Sequence, residues 1–264
     1  MTGENLRMRL LRTSHLGPSV VVTLVAFLLA RTLWSTGSAL LIAATIFSGQ
    51  LCVGWTNDLI DIDTDRLQGR KNKPLATGEI SIGTVLNVTI ATGTLCVPLS
   101  LFGPLGFRGG SVHLLGVGCG LAYNFYFKRT RFSPLPFIIA FAALPAAIAL
   151  SKNHSVHIWL ISAGGLFGVA AHFANVVMDM DRDREVGLLG LPQVLGTRTS
   201  ILITGVALLF ISVLLAKHTH LWIPTLASGI AALLLLVAPI GYCFPLVMAL
   251  ALADVAILVS RVSL

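Results

Sequence analysis

Residues 38–65 read SALLIAATIFSGQLCVGWTNDLIDIDTD, an apolar run that leads directly into a group of four aspartates. The apolar part, residues 38–56, approaches the roughly 20 residues with which a helix crosses a bilayer. Asn57, Asp61 and Asp65 then follow at intervals of four residues, which on a helix places them on one face, about 6 Å apart along the axis. The stretch therefore predicts a membrane-spanning helix whose end carries a ladder of oxygen ligands.

The composition of the whole chain is that of a membrane protein. Of its 264 residues, 55% are hydrophobic and 11% are charged, and the mean hydropathy is +0.88, whereas soluble domains carry about 25% charged residues. Apolar segments lie at about 16–33, 38–56, 80–101, 111–127, 135–151, 156–178, 199–216, 221–238 and 243–260. We predict an all-α integral membrane protein with about nine transmembrane helices, in which residues 1–264 form a single domain.

The formal net charge of +7 reports the orientation of the chain in the membrane rather than a nucleic-acid partner. Cytoplasmic segments of membrane proteins are enriched in Lys and Arg. With a cytoplasmic N-terminus, the predicted cytoplasmic segments hold thirteen Lys and Arg residues and the opposite segments hold five. We therefore expect the N-terminus and the acidic segments at the cytoplasmic face of the cell (inner) membrane.

The acidic stretch occurs twice. Residues 57–78 and residues 175–196, offset by 118 positions, share eight identities in twenty-two positions. The offset carries the end of the second apolar segment onto the end of the sixth, so both copies enter the membrane in the same direction. This pattern predicts a parallel internal repeat, with halves at roughly 16–130 and 135–240, and such repeats tend to form a site between the halves.

Each copy carries the same ladder on a predicted helix end: Asn57, Asp61 and Asp65 in the first, and Asn175, Asp179 and Asp183 in the second. Asp58 lies about 100° around the helix from Asn57, so it either reaches the same cavity or caps a neighbour. Asp63 and Asp181 are expected to point away into solvent. Several carboxylates around one opening repel one another unless cations are present.

The ligand types favour a hard ion, because oxygen donors without His or Cys are typical of Mg2+ or Ca2+ sites. The letters DIDTD resemble the start of a calcium loop, but Arg66 stands in place of its glycine and Asn72 in place of its final glutamate. Mg2+ binds through one or two carboxylates together with substrate phosphates. We therefore expect Mg2+.

Basic residues near the ladders indicate a polyphosphate ligand. They are Arg66, Arg70, Lys71 and Lys73 after the first ladder, Arg182 and Arg184 beside the second, and Lys128, Arg129 and Arg131 after the fourth apolar segment. Carboxylates, a metal and cationic side chains together form a receptor for a diphosphate.

A diphosphate at the end of a membrane bundle suggests a ligand whose other end is lipid soluble. Aromatic residues available to line an apolar pocket are Phe47, Trp55, Phe125, Phe137, Phe141, Trp159, Phe167 and Phe173, and such rings stabilise cations. His172 is one turn before Asn175 and either touches this pocket or bonds a neighbouring helix. Asp254 lies within the ninth apolar segment, where it either orients an acceptor or pairs with a residue near the outer face.

These features resemble the UbiA superfamily of intramembrane prenyltransferases. NDLIDIDTD at residues 57–65 resembles the family motif NDxxDxxxD, and DMDRD at residues 179–183 resembles its second motif, DxxxD. The KPLATG and LPQVLG segments are also similar to the family. The second motif is shorter than the usual form, because Val176 stands where an Asp often follows the Asn.

The resemblance implies a central cavity in which Mg2+ ions hold an isoprenyl diphosphate. It implies a metal-binding set of Asn57, Asp58, Asp61, Asp65, Asn175, Asp179 and Asp183. It also implies that Asn57, Arg70, Lys73, Tyr123, Lys128 and Asn175 bind the diphosphate, and that Asp61, Asp65, Asp179, Asp183 and Lys128 take part in catalysis.

We therefore expect an enzyme of isoprenoid biosynthesis that transfers an isoprenyl group to a small aromatic or lipophilic acceptor. Two alternatives use related chemistry: a membrane terpene cyclase and a polyprenyl-phosphate phosphoribosyl transferase. A cation transporter is the alternative from another class, although transporters usually bind their ions near the midplane of the bilayer.

Overall fold

A computed structural model describes residues 5–235 and 237–260. Within those ranges the chain forms α-helices and one short 3-10 helix, Phe127–Arg129, and it contains no strand. The α-helices are α1 Leu6–Arg12, α2 Leu16–Arg31, α3 Thr36–Leu67, α4 Ile82–Phe102, α5 Gly106–Phe125, α6 Pro134–Leu150, α7 Ile158–Val177, α8 Met180–Glu185, α9 Leu191–Leu195, α10 Thr197–Thr219, α11 Trp222–Leu234 and α12 Ile240–Val259. The predicted all-α class is confirmed.

Each of the nine predicted apolar segments overlaps one of these helices. By length and apolar composition, five helices among the described residues suffice to cross a membrane: α3, α4, α7, α10 and α12. Helices α1 and α2 together pass the same test as a sixth, although the chain bends by 79° between them. Helix α6 and part of α11 are apolar but shorter. The number of nine spans and the internal repeat stay predictions.

Helix α3 positions the first acidic ladder. Its 32 residues form one continuous helix, which at 1.5 Å per residue is about 48 Å long and exceeds the roughly 30 Å of the hydrocarbon core. Asn57, Asp61 and Asp65 lie in its last three turns, so the excess length places them at one end of the bundle. The predicted ladder on one helix face is confirmed for this copy.

The second ladder does not follow a single helix, and the prediction that it does is wrong. Helix α7 ends at Val177, and Asp179 adopts a non-helical conformation (φ −113°, ψ 8°) before the short helix α8 begins. Two β-branched residues, Val176 and Val177, precede the break, and such residues weaken a helix. Asn175, Asp179 and Asp183 are therefore distributed over a helix end, a turn and a new helix.

The junction between α1 and α2 packs against α3. His15 has a left-handed backbone conformation (φ 52°, ψ 50°), which is uncommon for a residue other than glycine. The Trp55 indole nitrogen donates a hydrogen bond to the Leu10 carbonyl at 2.9 Å. A Cβ atom at Gly54 would lie 2.3 Å from the Ser14 carbonyl oxygen, so the close approach of this junction to α3 requires glycine.

The largest buried apolar cluster joins α2, α3, α6, α7, α10, α11 and α12. A smaller cluster is formed by Trp55, Leu75, Ile80 and Val85. It packs the loop after α3 onto that helix and so fixes the backbone that carries Arg70 and Lys73.

Candidate active site

A polar cavity of about 320 Å³ lies where the two acidic segments meet. It is lined by Arg12, His15, Asn57, Asp61, Thr64, Asp65, Gln68, Arg70, Asn72, Lys73, Tyr123, Lys128, Asn175, Val176, Asp179, Asp183 and Leu188. Both predicted ladders thus face one space. Four carboxylates and four Lys or Arg side chains share the lining, so its charges are balanced.

The first ladder is paired with cations. Lys128, in the 3-10 helix after α5, donates to Asp61 Oδ2. Arg70 Nε lies 3.3 Å from Asp65 Oδ1, and the Asp65 side chain is nearly buried. Both carboxylates are therefore held by the basic residues that the sequence predicted to bind a diphosphate.

The second segment contacts the first directly. Arg70 Nη2 lies 3.3 Å from Asp179 Oδ2, so one guanidinium group bridges Asp65 and Asp179. Arg182 Nη2 lies 2.5 Å from the other oxygen of Asp179, and the Gln68 side chain donates to the Arg182 carbonyl at 3.1 Å. Segments that are far apart in sequence form one continuous charged surface.

Asp183, the last acid of the second ladder, is half-buried. Gln193 Nε2, in α9, donates to Asp183 Oδ2 at 2.8 Å. Burial raises the pKa of Asp183 above its ordinary value; the Gln193 hydrogen bond opposes this rise, and the negative charge of Asp179 adds to it. Because the raised pKa reports a disfavoured charge, the Asp183 carboxylate gains from a bound cation.

Asn57 and Asn175 stand at the inner end of the polar cavity. Asn57 Nδ2 donates to Asp61 Oδ2 at 3.0 Å and to the side-chain oxygen of Asn124 at 3.2 Å. Asn124, which is buried, donates in turn to the Val53 carbonyl at 3.0 Å. Asn175 has an exposed side chain on α7. The amide oxygen of Asn57 faces no donor among the described residues and so is free to act as a ligand.

Asp58 is the member of the predicted metal-binding set that does not line the cavity. It is 1% exposed, and its Oδ1 accepts from Lys73 Nζ and lies 3.1 Å from His15 Nε2. Its Oδ2 is buried without a hydrogen-bond partner. Of the two positions left open by the sequence, the structure places Asp58 against its neighbours, behind Lys73 and His15.

An apolar chamber of about 200 Å³ adjoins the polar cavity. His15, Asn57, Tyr123 and Asn175 line both spaces. Of the aromatic residues considered above, Phe137 and Phe141 line the chamber, Phe167 lines a deeper cavity, and the other five line none of these spaces. A ligand that crosses the boundary would have a charged end among the acids and an apolar end among the rings.

His172 does not line either space. It is fully buried in α7, and its Nε2 lies 3.0 Å from the Ser133 hydroxyl at the start of α6. Its ring packs against those of Tyr123 and Phe137. His172 thus bonds a neighbouring helix, one of the two alternatives considered from the sequence. It supports the residues that line the boundary between the cavity and the chamber.

A sequence profile of the UbiA prenyltransferase family matches residues 19–255. The chain belongs to the UbiA prenyltransferase family. Prenyltransferases of this family are membrane proteins, and the apolar helices described above make this chain an integral membrane protein. A search of curated proteins finds no significant match.

Solved structures of UbiA homologues share the fold. A UbiA homologue from Aeropyrum pernix K1 superimposes with a TM-score of 0.73 at 17% identity, covering 97% of this chain and 98% of that one. A UbiA homologue from Archaeoglobus fulgidus bound to GPP and Mg2+ gives a TM-score of 0.70 at 18% identity, covering 94% and 99%. The A. fulgidus homologue bound to DMAPP and Mg2+ gives 0.69 at 18% identity, with the same coverage.

The donor set of this UbiA-family site fits Mg2+ shared with phosphate. The ladders supply only carboxylate and amide oxygens, which are the ligands of hard cations. No three His, Cys, Asp or Glu side chains among residues 5–235 and 237–260 converge on one point to hold a bare ion. This arrangement is expected of Mg2+, which takes one or two carboxylates and completes its shell with phosphate and water.

Several polar residues of the site were not identified from the sequence, among them His15, Gln68, Asn124 and Gln193. His15 precedes an apolar segment without any motif. Gln193 lies within LPQVLG, which was noted for its similarity to the family, and Asn124 lies four residues before Lys128 without a motif of its own. Only their contacts across the fold assign them to the site.

Proposed function

We propose that this protein is a Mg2+-dependent prenyltransferase that moves an isoprenyl group from an allylic isoprenyl diphosphate to a small aromatic or lipophilic acceptor. The observation that carries the proposal is the pair of adjoining spaces, in which an acid- and base-lined cavity opens into an aromatic, apolar chamber. Such a site matches an amphiphilic ligand with a diphosphate at one end. GPP and DMAPP, found in the A. fulgidus homologue, are ligands of this kind.

The polar cavity would hold the diphosphate. Arg70 and Lys128 already lie within it, and each can exchange a carboxylate for a phosphate oxygen of similar charge. Bound Mg2+ would neutralise the charge that develops on the leaving diphosphate. The residues that would hold it are Asn57, Asp61, Asp65, Asn175, Asp179 and Asp183. Asp58 is better placed to hold Lys73 and His15 at the cavity wall.

The apolar chamber would hold the isoprenyl group while the bond between its first carbon and the diphosphate oxygen breaks. The electron pair leaves with the diphosphate, and the allylic carbon becomes positive. The rings of Tyr123, Phe137 and Phe141 line the chamber, and aromatic faces stabilise a cation. The apolar lining also excludes water, which would otherwise convert the cation into an alcohol.

The acceptor completes the reaction. Its nucleophilic atom forms a bond to the allylic carbon, and it loses one proton to the surroundings. The products are a prenylated acceptor and free diphosphate. We place the polar cavity at the cytoplasmic face, together with the N-terminus, because of the excess of Lys and Arg in the segments on that side.

The apolar chamber also favours an enzyme over a cation transporter. Ion paths through membrane proteins are lined by polar groups, whereas most residues around the chamber are apolar. A cation released from the acidic ladders would therefore meet a hydrophobic barrier towards the other face.

The proposal is tested with purified protein in lipid nanodiscs. Labelled DMAPP and GPP are supplied with and without a phenolic acceptor, with Mg2+ or with EDTA, and the lipid-soluble products are analysed by mass spectrometry. The expected product has the mass of the acceptor plus the isoprenyl group minus one hydrogen, and it disappears with EDTA. Products that form equally well without any acceptor would instead favour a cyclase. Failure to consume any allylic diphosphate across a panel of chain lengths would overturn the proposal.

A further inference from the structure

A deeper cavity, here called the distal pocket, adjoins the apolar chamber. Its volume is about 70 Å³, which is room for the end of a ligand rather than for a whole one. Val22, Phe141 and Met248 border both the chamber and the distal pocket. The pocket extends between α2, α6, α7, α10 and α12, away from the acidic ladders.

One polar side chain faces the distal pocket. Asp254 of α12 lines it and is 2% exposed, whereas the other lining residues are apolar. The Ser228 hydroxyl of α11 donates to Asp254 Oδ1 at 2.6 Å, and this is the one hydrogen bond of the Asp254 side chain within the described part of the chain. A carboxyl group has room for several donors, so most of its hydrogen-bonding capacity is unused.

An apolar occupant of the distal pocket would leave the Asp254 carboxyl group with only its hydrogen bond from Ser228. Burying a carboxyl group without donors is costly, more so inside a membrane. An isoprenyl chain has no hydrogen-bond donor, and a leucine in place of Asp254 would bind it better. The acid therefore indicates a ligand that brings a donor to the end of an otherwise apolar body.

The distance to the acidic ladders suits a second substrate. His15, at the N-cap of α2, lines the polar cavity and Leu29 of α2 lines the distal pocket; their offset of fourteen positions corresponds to about 21 Å. Asp254 is thus far from the diphosphate but within reach of the far end of an elongated molecule whose other end reacts in the chamber.

A separate branch of the chamber leaves space for the isoprenyl chain. A pocket of about 60 Å³ lies between α3, α5 and α6, and it shares Gln50, Val117 and Phe141 with the chamber. The chamber therefore extends in two directions, one into the distal pocket and one into a space whose mostly apolar lining includes Gln50 and His113, which leaves room for two lipophilic reactants.

Building on the function proposed above, we propose that the distal pocket is a subsite for the acceptor and that Asp254 accepts a hydrogen bond from a hydroxyl group at the acceptor's far end. The acceptor is then an elongated lipophilic molecule with a nucleophile at one end and a hydroxyl at the other. Asp254 would act as a specificity determinant, since it touches the acceptor but not the reacting atoms.

The test uses two probes that differ only in the donor, tritiated 1-dodecanol and its methyl ether. Equilibrium binding is measured with the full-length protein in nanodiscs, and binding to empty nanodiscs is subtracted. The unaltered protein should prefer the alcohol about tenfold, the effect of one hydrogen bond to a charged group. Asp254→Leu should bind both probes equally, and Asp254→Asn should keep part of the preference. Asp63→Asn, which removes an exposed carboxylate elsewhere, should keep all of it.

Two results would overturn the proposed subsite: equal binding of the alcohol and the ether by the unaltered protein, or a preference for the alcohol that survives in Asp254→Leu. Ser228→Ala keeps the Asp254 carboxyl group and should keep the preference for the alcohol. Loss of the preference in Ser228→Ala would mean that the probe's hydroxyl group binds Ser228 rather than Asp254. Probe binding does not require turnover, so failure here is distinct from failure to consume an allylic diphosphate. Once an acceptor is known, Asp254→Leu should raise its KM and leave the KM of the diphosphate unchanged; the reverse would place the isoprenyl chain in the distal pocket.

Discussion

Arg70, which follows the first acidic segment, lies 3.3 Å from Asp179 in the second. The same guanidinium contacts Asp65, so a single side chain joins carboxylates from both segments. Planar guanidinium groups bind two oxygen ligands at once, which a lysine ammonium group does not reproduce. Arg70 thus sets the spacing between the segments that we propose to share a diphosphate.

Arg70→Lys should weaken diphosphate binding, because the charge is kept while the two-sided geometry is lost. We expect the KM for GPP to rise about tenfold, the loss of one good charge-assisted contact. Arg66→Lys is the matched control, since Arg66 is half exposed and pairs with the exposed Asp63 at 3.7 Å. An unchanged KM in Arg70→Lys would remove Arg70 from the diphosphate site.

Asp61→Asn should reduce prenyl transfer by about 100-fold or more, in the range found when a group that stabilises leaving charge is lost. The substitution preserves the side-chain volume but removes the charge that faces Lys128. Product formation from GPP and Mg2+ is the measurement. Asp63→Asn, on the same helix with a side chain that is 89% exposed, should keep full activity. Comparable losses in both variants would contradict the assignment.

Lys128→Ala should weaken the apparent affinity for the allylic diphosphate, because the ammonium group that now pairs with Asp61 is then missing from the phosphate site. About a tenfold increase in KM is expected. Arg129→Ala, which removes an exposed neighbouring charge, provides the comparison. Equal effects of the two variants would indicate a general loss of positive charge rather than a direct contact.

Asp58→Asn separates a structural role from a metal-binding one. The substitution leaves the buried Lys73 ammonium group without its carboxylate partner, and breaking a buried pair costs about 3 kcal/mol. We expect a lower unfolding midpoint and an unchanged Mg2+ concentration for half-maximal activity. A higher Mg2+ requirement in a variant of normal stability would instead make Asp58 a metal ligand.

Gly54→Ala should destabilise the protein, because its new methyl group would meet the Ser14 carbonyl oxygen at 2.3 Å. Forcing extra volume into a packed contact costs about 1–3 kcal/mol. Thermal unfolding in detergent measures the effect. Gly118→Ala places a methyl group in open space on α5 and should be neutral or slightly stabilising, since alanine favours the helix. An unchanged midpoint of thermal unfolding in Gly54→Ala would mean that the α1–α2 junction can shift away from α3 without loss of stability.

The first acidic ladder could be predicted from the sequence because helix periodicity alone fixes the relation of Asn57, Asp61 and Asp65. The second could not, since its geometry depends on where α7 ends. The ladder residues have the same spacing in both copies, but the backbone differs: it is a continuous helix in the first copy and contains a turn at Asp179 in the second.

Helix periodicity also did not determine where the Asp58 side chain lies. Its direction depends on His15 and Lys73, which reach it from the α1–α2 junction and from the loop after α3. His15 carries no motif, and its left-handed backbone lies at the junction that approaches α3 closely. Such non-local contacts become visible only in three dimensions.

Because the charged cavity adjoins the apolar chamber, the two products of the proposed reaction would leave the site in different directions. Diphosphate, once detached, dissolves in water, whereas the prenylated acceptor partitions into lipid. The two would depart into different phases and dilute away from each other. Re-encounter would be rare, so the partition between phases would itself drive synthesis forward.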